Sequence, residues 1–129
     1  MTENFLWLII AIYFEARNQS FDTKVKIGHA VMNRVKRRGI SVKEVVAEPN
    51  QFPWYNKILT GEKVIGGDKQ EVDALIVCAE AAFRVEKDRM NGEFFFDCDH
   101  FYDDSIEKPY WAPSMTYLGK YDDFYFFKS

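Results

Sequence analysis

The sequence predicts an α+β domain, mainly helical, with a small antiparallel sheet at its C-terminal end. Helix-type apolar periodicity, with recognisable caps, runs from residue 5 to about residue 90. From Glu93 onward the texture changes to short, aromatic-rich, partly alternating stretches of the kind that form strands. Nowhere do the 129 residues contain an internal repeat, a low-complexity tract or a linker, so residues 1–129 read as one domain large enough to bury a core.

Residues 5 to 17, which include "FLWLIIAIYF", are apolar almost all round, the mark of a central buried helix. The next helix spans about Asp22 to Arg38, with Asp22 or Thr23 as N-cap and Gly39 in the stop position. Its apolar stripe is Val25, Gly28, Met32 and Val35, widened by Ile27 and Val31, and Lys36, Arg37 and Arg38 complement the dipole in its last turn. Ser41 and Glu44 form a capping box opening a short helix that Pro49 stops. A loop rich in turn formers and aromatics then runs from Pro49 to Asp68. Asp68 and Glu71 repeat the capping-box pattern and open a helix to about Met90, with Val72, Leu75, Ile76, Ala79 and Phe83 on one face and Asn91-Gly92 as its end. The strands fall within "EFFFDCDHFY" and "MTYLGKYDDFYFF", the second broken by Gly119 and by Asp122-Asp123 in the manner of a hairpin.

Composition narrows the function. Aromatic residues make up 17%, with 12 Phe, 7 Tyr and 3 Trp, more than a small core needs, so some rings are expected to line a groove. A net charge of −3 argues against nucleic acid or an anionic membrane as partner. The apolar run before Glu15 is too short to span a bilayer and lacks a basic segment before it, which predicts no membrane insertion and no signal peptide. Synthesis in the cytoplasm, with delivery to any outside target by other means, is the corresponding expectation. Cys78 and Cys98 are compatible with free thiols or with one bridge, and free thiols are the expectation.

Four features carry candidate chemistry. Glu15 closes the apolar run, and an acid there is either a solvated helix-end residue or a carboxyl in an apolar wall, where desolvation keeps a proton available near neutral pH. Asp97, Asp99, His100, Asp103 and Asp104 invite a metal reading with His29 as a distant ligand, but they lack specific ligand spacing and read more simply as the solvated face of a strand. Lys24, Lys26, Arg34, Lys36, Arg37 and Arg38 share one helix, and read more simply as a solvated face than as a nucleic-acid helix. Gln51-Phe52-Pro53-Trp54-Tyr55 and Pro109-Tyr110-Trp111 place amides and flat rings in loops, which suits either a glycan groove or loop anchoring.

Taken together, "IYFEARNQS", "IGHAVMNRV", "NQF", "HFYDDSIEKPYWA" and "YLGKYDDFYF" resemble, in family order, the SleB-type cell-wall hydrolases, which include spore cortex-lytic enzymes and many phage lysins. The resemblance covers most of the chain, with residues 56 to 92 matched only by helix type. It implies a lysozyme-like fold and cleavage of peptidoglycan glycan strands, as a lytic transglycosylase or muramidase, with Glu15 of the "EAR" motif as single general acid and base. Asn33 and Arg34 match the family's "NR", Gln51 and Phe52 its "QF", and His100, Phe101 and Tyr102 the aromatic stretch before the "PYW"-like segment holding Tyr110 and Trp111. The expected substrate-binding residues are thus Asn33, Gln51, Phe52, Trp54, His100, Tyr102, Tyr110 and Trp111, in a monomer with no cofactor and no metal.

Two departures matter. Asn18-Gln19 stands where the family often has Gly-Glu, which removes a second carboxylate beside the first, and Tyr121 stands where a histidine is usual. With one acid and no evident base, transglycosylation is the most economical chemistry, and water in place of the internal nucleophile gives hydrolysis. A phage endolysin acting on the wall after release fits a catalytic domain of this kind. The alternatives are a metal-dependent hydrolase built on Asp97 to Asp104 and a non-catalytic glycan-binding module.

Overall fold

The structure, a computed structural model, describes residues 2–49, 51–93 and 96–129. Expectations that touch Asn50, Phe94 and Phe95 lie outside those residues. Helix α1 (Glu3–Ala16) starts two residues before the expected position, because the Thr2 side chain accepts from the Phe5 backbone N–H. It is the central element, burying Leu8 through Tyr13 and Ala16.

Helix α2 (Phe21–Arg38) is capped by Ser20, not by Asp22 or Thr23. The Ser20 hydroxyl is oriented for this by Asp122, whose carboxylate accepts from Ser20 N–H and Oγ and from Thr23 Oγ1. That partner lies far along the chain, so local sequence could not disclose it. Gly39 ends the helix at φ 64°, donating its N–H to Val35. The solvated basic face expected on this helix is only partly present: Lys24 and Arg34 are buried, Lys24 donating to the Gln19 carbonyl and Arg34 to the Asp99 carbonyl. Their long stems pack inward while a backbone acceptor receives the charged end.

Helix α3 (Val42–Val46) carries the expected capping box of Ser41 and Glu44. The segment expected to be a loop contains a further helix, α4 (Pro53–Leu59), started by Pro53 at its first position. Helix α5 (Lys69–Met90) is capped by Asp68, but the Glu71 carboxylate accepts from Gly67 N–H and does not close a box. Its inward face is Cys78, Ala81, Ala82, Val85 and Asp88, while Val72, Ile76 and Phe83 of the expected stripe are exposed. Close approach of three helices selects the smaller residues: a Cβ on Gly28 would meet Val85 Cγ2 at 2.7 Å and Ile12 Cδ1 at 3.1 Å.

Strands β1 (His100–Asp103), β2 (Thr116–Tyr121) and β3 (Phe124–Lys128) form one antiparallel sheet in the order β1-β3-β2. Asp122 at φ 50° and Asp123 make the β2–β3 turn, and Gly119 at φ 128° sits at a bulge, as their positions in the sequence suggested. One sheet face packs Phe124 and Phe126 against Ala16, Ile27 and Ala30. Among the described residues, no helix is long and apolar enough to cross a membrane, and Cys78 and Cys98 are buried free thiols.

Candidate active site

Helix α1 delivers Glu15 in its last turn, where the apolar run meets the rings of α4. Trp54, itself buried, donates from Nε1 to Glu15 Oε1 at 2.8 Å. Phe14 stacks on Trp54 with centroids 5.2 Å apart, and Phe52 meets Trp54 edge-on at 5.9 Å. Glu15 is partly buried among these rings, and Oε2 has no hydrogen-bond partner among the described residues. Burial raises its pKa from 4.5 to about 7; the Trp54 hydrogen bond opposes this, the charge of Asp103 adds to it and that of Arg34 subtracts. Between the two readings the sequence left open, the structure has Glu15 in an apolar wall.

Arg17 does not reach Glu15. Its Nη1 donates to the Tyr13 hydroxyl at 2.9 Å and lies 3.9 Å from Glu71 Oε1. The cation that does act on Glu15 is Arg34, buried, with its guanidinium 5.5 Å from the centroid of the Phe52 ring. Desolvation pulls the Arg34 pKa down to about 10, which leaves it charged at neutral pH.

A chain of ring contacts connects the surroundings of this acid to a cavity beside β1. Phe52 packs against Phe101 at 6.2 Å, and Phe101 lines a cavity of about 400 Å³ together with Gln51, Tyr102, Tyr110 and Trp111. Four of the expected substrate-binding residues therefore converge on one cavity. Tyr110 is almost wholly exposed, and Tyr102 and Trp111 meet edge-on at 5.9 Å. Phe52 and Trp54 do not line the cavity, but link Phe101 to Glu15 through their ring contacts and the Trp54 hydrogen bond. The remaining two are placed elsewhere. Asn33 is buried, its amide nitrogen donating to the carbonyls of Cys98 at 2.7 Å and Phe96 at 3.3 Å and its oxygen accepting from Arg89, so it ties α2 to the segment before β1. His100 is buried under Trp111 and bonded through Nδ1 to Asp99 Oδ1 at 3.1 Å. A larger cavity, about 680 Å³ and lined by Phe5, Phe83 and Met90, lies at the opposite end of α1 from Glu15.

The acidic cluster is not gathered around a point. Asp97 pairs with Arg37 and Lys128 at 2.7 Å each, Asp99 with Arg37, Asp104 with Lys120 at 3.1 Å. His29 is buried against Asp88 on α5, and its pKa is lowered to about 4, chiefly by burial. Among the described residues, no three His, Cys, Asp or Glu side chains are arranged to hold a metal ion. Two contributors to the site were given no role from the sequence: Arg34, read as surface charge and matched to the family's "NR", and Asp103, read with the cluster. Period-two alternation in β1 was the signal available for Asp103, since it shares a face with Phe101.

A helical domain with one partly buried glutamate at the end of its central helix and a small antiparallel sheet beside it defines a lysozyme-like α+β protein. The chain belongs to the cell wall hydrolase family, whose profile matches residues 18–127, and is thus an enzyme of cell-wall degradation. The match begins beyond Glu15, so the case for that residue rests on its geometry. Among solved structures, the catalytic domain of the germination-specific lytic transglycosylase SleB from Bacillus anthracis superposes with a TM-score of 0.69, at 17% identity over 99% of this chain and 97% of that one. The catalytic domain of the Bacillus cereus SleB protein gives 0.67 at 16% identity, covering 98% and 91%. At such identities the likeness establishes the fold. No curated protein sequence matches the chain.

Proposed function

We propose that the enzyme cleaves the glycan strand of peptidoglycan with Glu15 as its general acid. The observation that carries this reading is the Trp54–Glu15 hydrogen bond within an apolar wall, which leaves a carboxyl that keeps its proton to about pH 7 beside an aromatic groove. Family membership supports the wall as target, and the SleB neighbour's description as a lytic transglycosylase supports the glycosidic bond as the point of attack.

A sugar chain lying across Tyr110 and Trp111 stacks its apolar faces on the rings, while the Gln51 amide serves its hydroxyl and acetamido groups. Glu15 donates its proton to the glycosidic oxygen as the bond to the anomeric carbon breaks. As a carboxylate it then assists the incoming nucleophile, either the muramic acid's own hydroxymethyl oxygen, giving an anhydro end, or water, giving a reducing end. Trp54 fixes one carboxyl oxygen, so the other meets the substrate.

The role of a lysin delivered to the wall after release is part of the same proposal. Lysis of permeabilised vegetative cells, compared with lysis of decoated spores, distinguishes a vegetative-wall from a cortex enzyme. For the chemistry, Glu15→Gln is near-isosteric and cannot donate the acid proton, so release of muropeptides from purified sacculi should fall about a hundred- to ten-thousand-fold with the fold intact. Release at the wild-type rate would remove Glu15 from the mechanism. Binding to sacculi without release by the wild type would identify a glycan-binding module instead.

A further inference from the structure

Strand β1 carries a second carboxylate to the site. His100 and Tyr102 turn to the outer face, against Trp111 and Phe127, while Phe101 turns inward onto Phe52, Phe124 and Phe126. By strand alternation Asp103 shares the inward side with Phe101, at the end of β1. Of the acids at positions 97, 99, 103 and 104, Asp103 is the one with no cationic partner among the described residues. Its Oδ1 is fixed by Ser105, accepting from the backbone N–H at 2.8 Å and from the hydroxyl, and Oδ2 takes no hydrogen bond among the described residues. The carboxylate is therefore oriented and has one oxygen available.

We propose that Asp103 is a second catalytic carboxylate, which activates a water molecule and directs cleavage toward hydrolysis. The face of β1 that Asp103 shares with Phe101 leads to Glu15 through a short chain of contacts: Phe101 packs on Phe52 at 6.2 Å, Phe52 on Trp54 at 5.9 Å, and Trp54 donates to Glu15 at 2.8 Å. One carboxyl that gives a proton to the leaving oxygen and a second that takes one from water are the two roles that glycoside hydrolysis requires. The step balances: Glu15 gives its proton to the glycosidic oxygen, the bond from the anomeric carbon to that oxygen breaks, and water forms the new bond to the anomeric carbon as Asp103 takes its proton. One water is added across the linkage, and solvent returns the proton from Asp103 to Glu15.

This rests on Glu15 acting as the acid, and the test separates the two ideas. Purified sacculi are digested in oxygen-18 water by the wild type, Asp103→Asn and Glu15→Gln, and the products are resolved by mass spectrometry. The wild type should release reducing-end muropeptides carrying oxygen-18. Asp103→Asn, near-isosteric and still able to accept from Ser105, should lose that product at least about tenfold, while anhydro ends rise as a share of the total. A change in this ratio is read on folded molecules only, so partial unfolding cannot imitate it. Glu15→Gln should lose both products. Oxygen-18 reducing ends at the wild-type rate from Asp103→Asn, or only anhydro ends from the wild type, would overturn the role of Asp103 and leave Glu15 standing. Both products persisting in Glu15→Gln would overturn the two together.

Discussion

Trp54 and Glu15, 39 positions apart, meet through a 2.8 Å hydrogen bond from the indole Nε1 to the carboxyl Oε1. The bond favours the ionised carboxylate, while the burial that the same ring helps to impose favours the protonated acid, and burial wins.

Removing the bond while keeping a ring therefore has a defined sign. Trp54→Phe should raise the Glu15 pKa further and extend the alkaline limb of the activity profile upward. The loss of orientation should lower the rate at neutral pH about tenfold. Rates on solubilised glycan strands across pH 5 to 9 check both. An unchanged profile would mean that the hydrogen bond does not form in solution.

Glu15 and His29 pull stability in opposite directions. The folded Glu15 pKa lies above its ordinary value, so its contribution is fully present below about 4.5 and is lost as pH rises through about 7. His29 is lowered from 6.5 to about 4, so its contribution is present above 6.5 and is lost as pH falls through about 4. Between about pH 4.5 and 6.5 the two slopes oppose, and wild-type stability should change little. In Glu15→Gln only the His29 slope remains, and urea-unfolding stability should rise with pH across that window. Parallel curves for the two proteins would contradict the Glu15 shift.

Much of this arrangement was legible in local sequence because local physics builds it. The Ser41–Glu44 capping box, the Gly39 stop and the Asp122-Asp123 turn form as expected, since each depends on residues a few positions apart. Glu15 stood out as a carboxylate at the end of an apolar helix. What the sequence hid depends on distant partners. Ser20 caps α2 with the help of Asp122, the small face of α5 turns inward because Gly28 lets α2 approach Val85, and α4 forms although its N-cap residue, Phe52, supplies no side-chain cap. Asn33 and His100 lie in motifs shared with the family, but the Asn33 amide is held by the Cys98 carbonyl and His100 Nδ1 by Asp99, contacts with residues far from α2 in one case and adjacent in the other.

The groove makes its own prediction through Gln51, an exposed loop amide whose carboxamide the core does not use. Gln51→Ala should raise KM for polymeric glycan several-fold, with kcat and melting temperature nearly unchanged. A mutant that melts early, yet cleaves normally while folded, would show Gln51 to be a loop anchor.

The central claim is that Glu15 holds a proton near neutral pH in the free enzyme, and carbon-detected NMR titration of its side-chain carboxyl tests this most directly, with Glu15→Gln identifying the resonance. A midpoint near 7 is the predicted result. A midpoint at or below the ordinary carboxyl value of about 4.5 would contradict it, showing a carboxylate that is solvated or paired and has no proton to give.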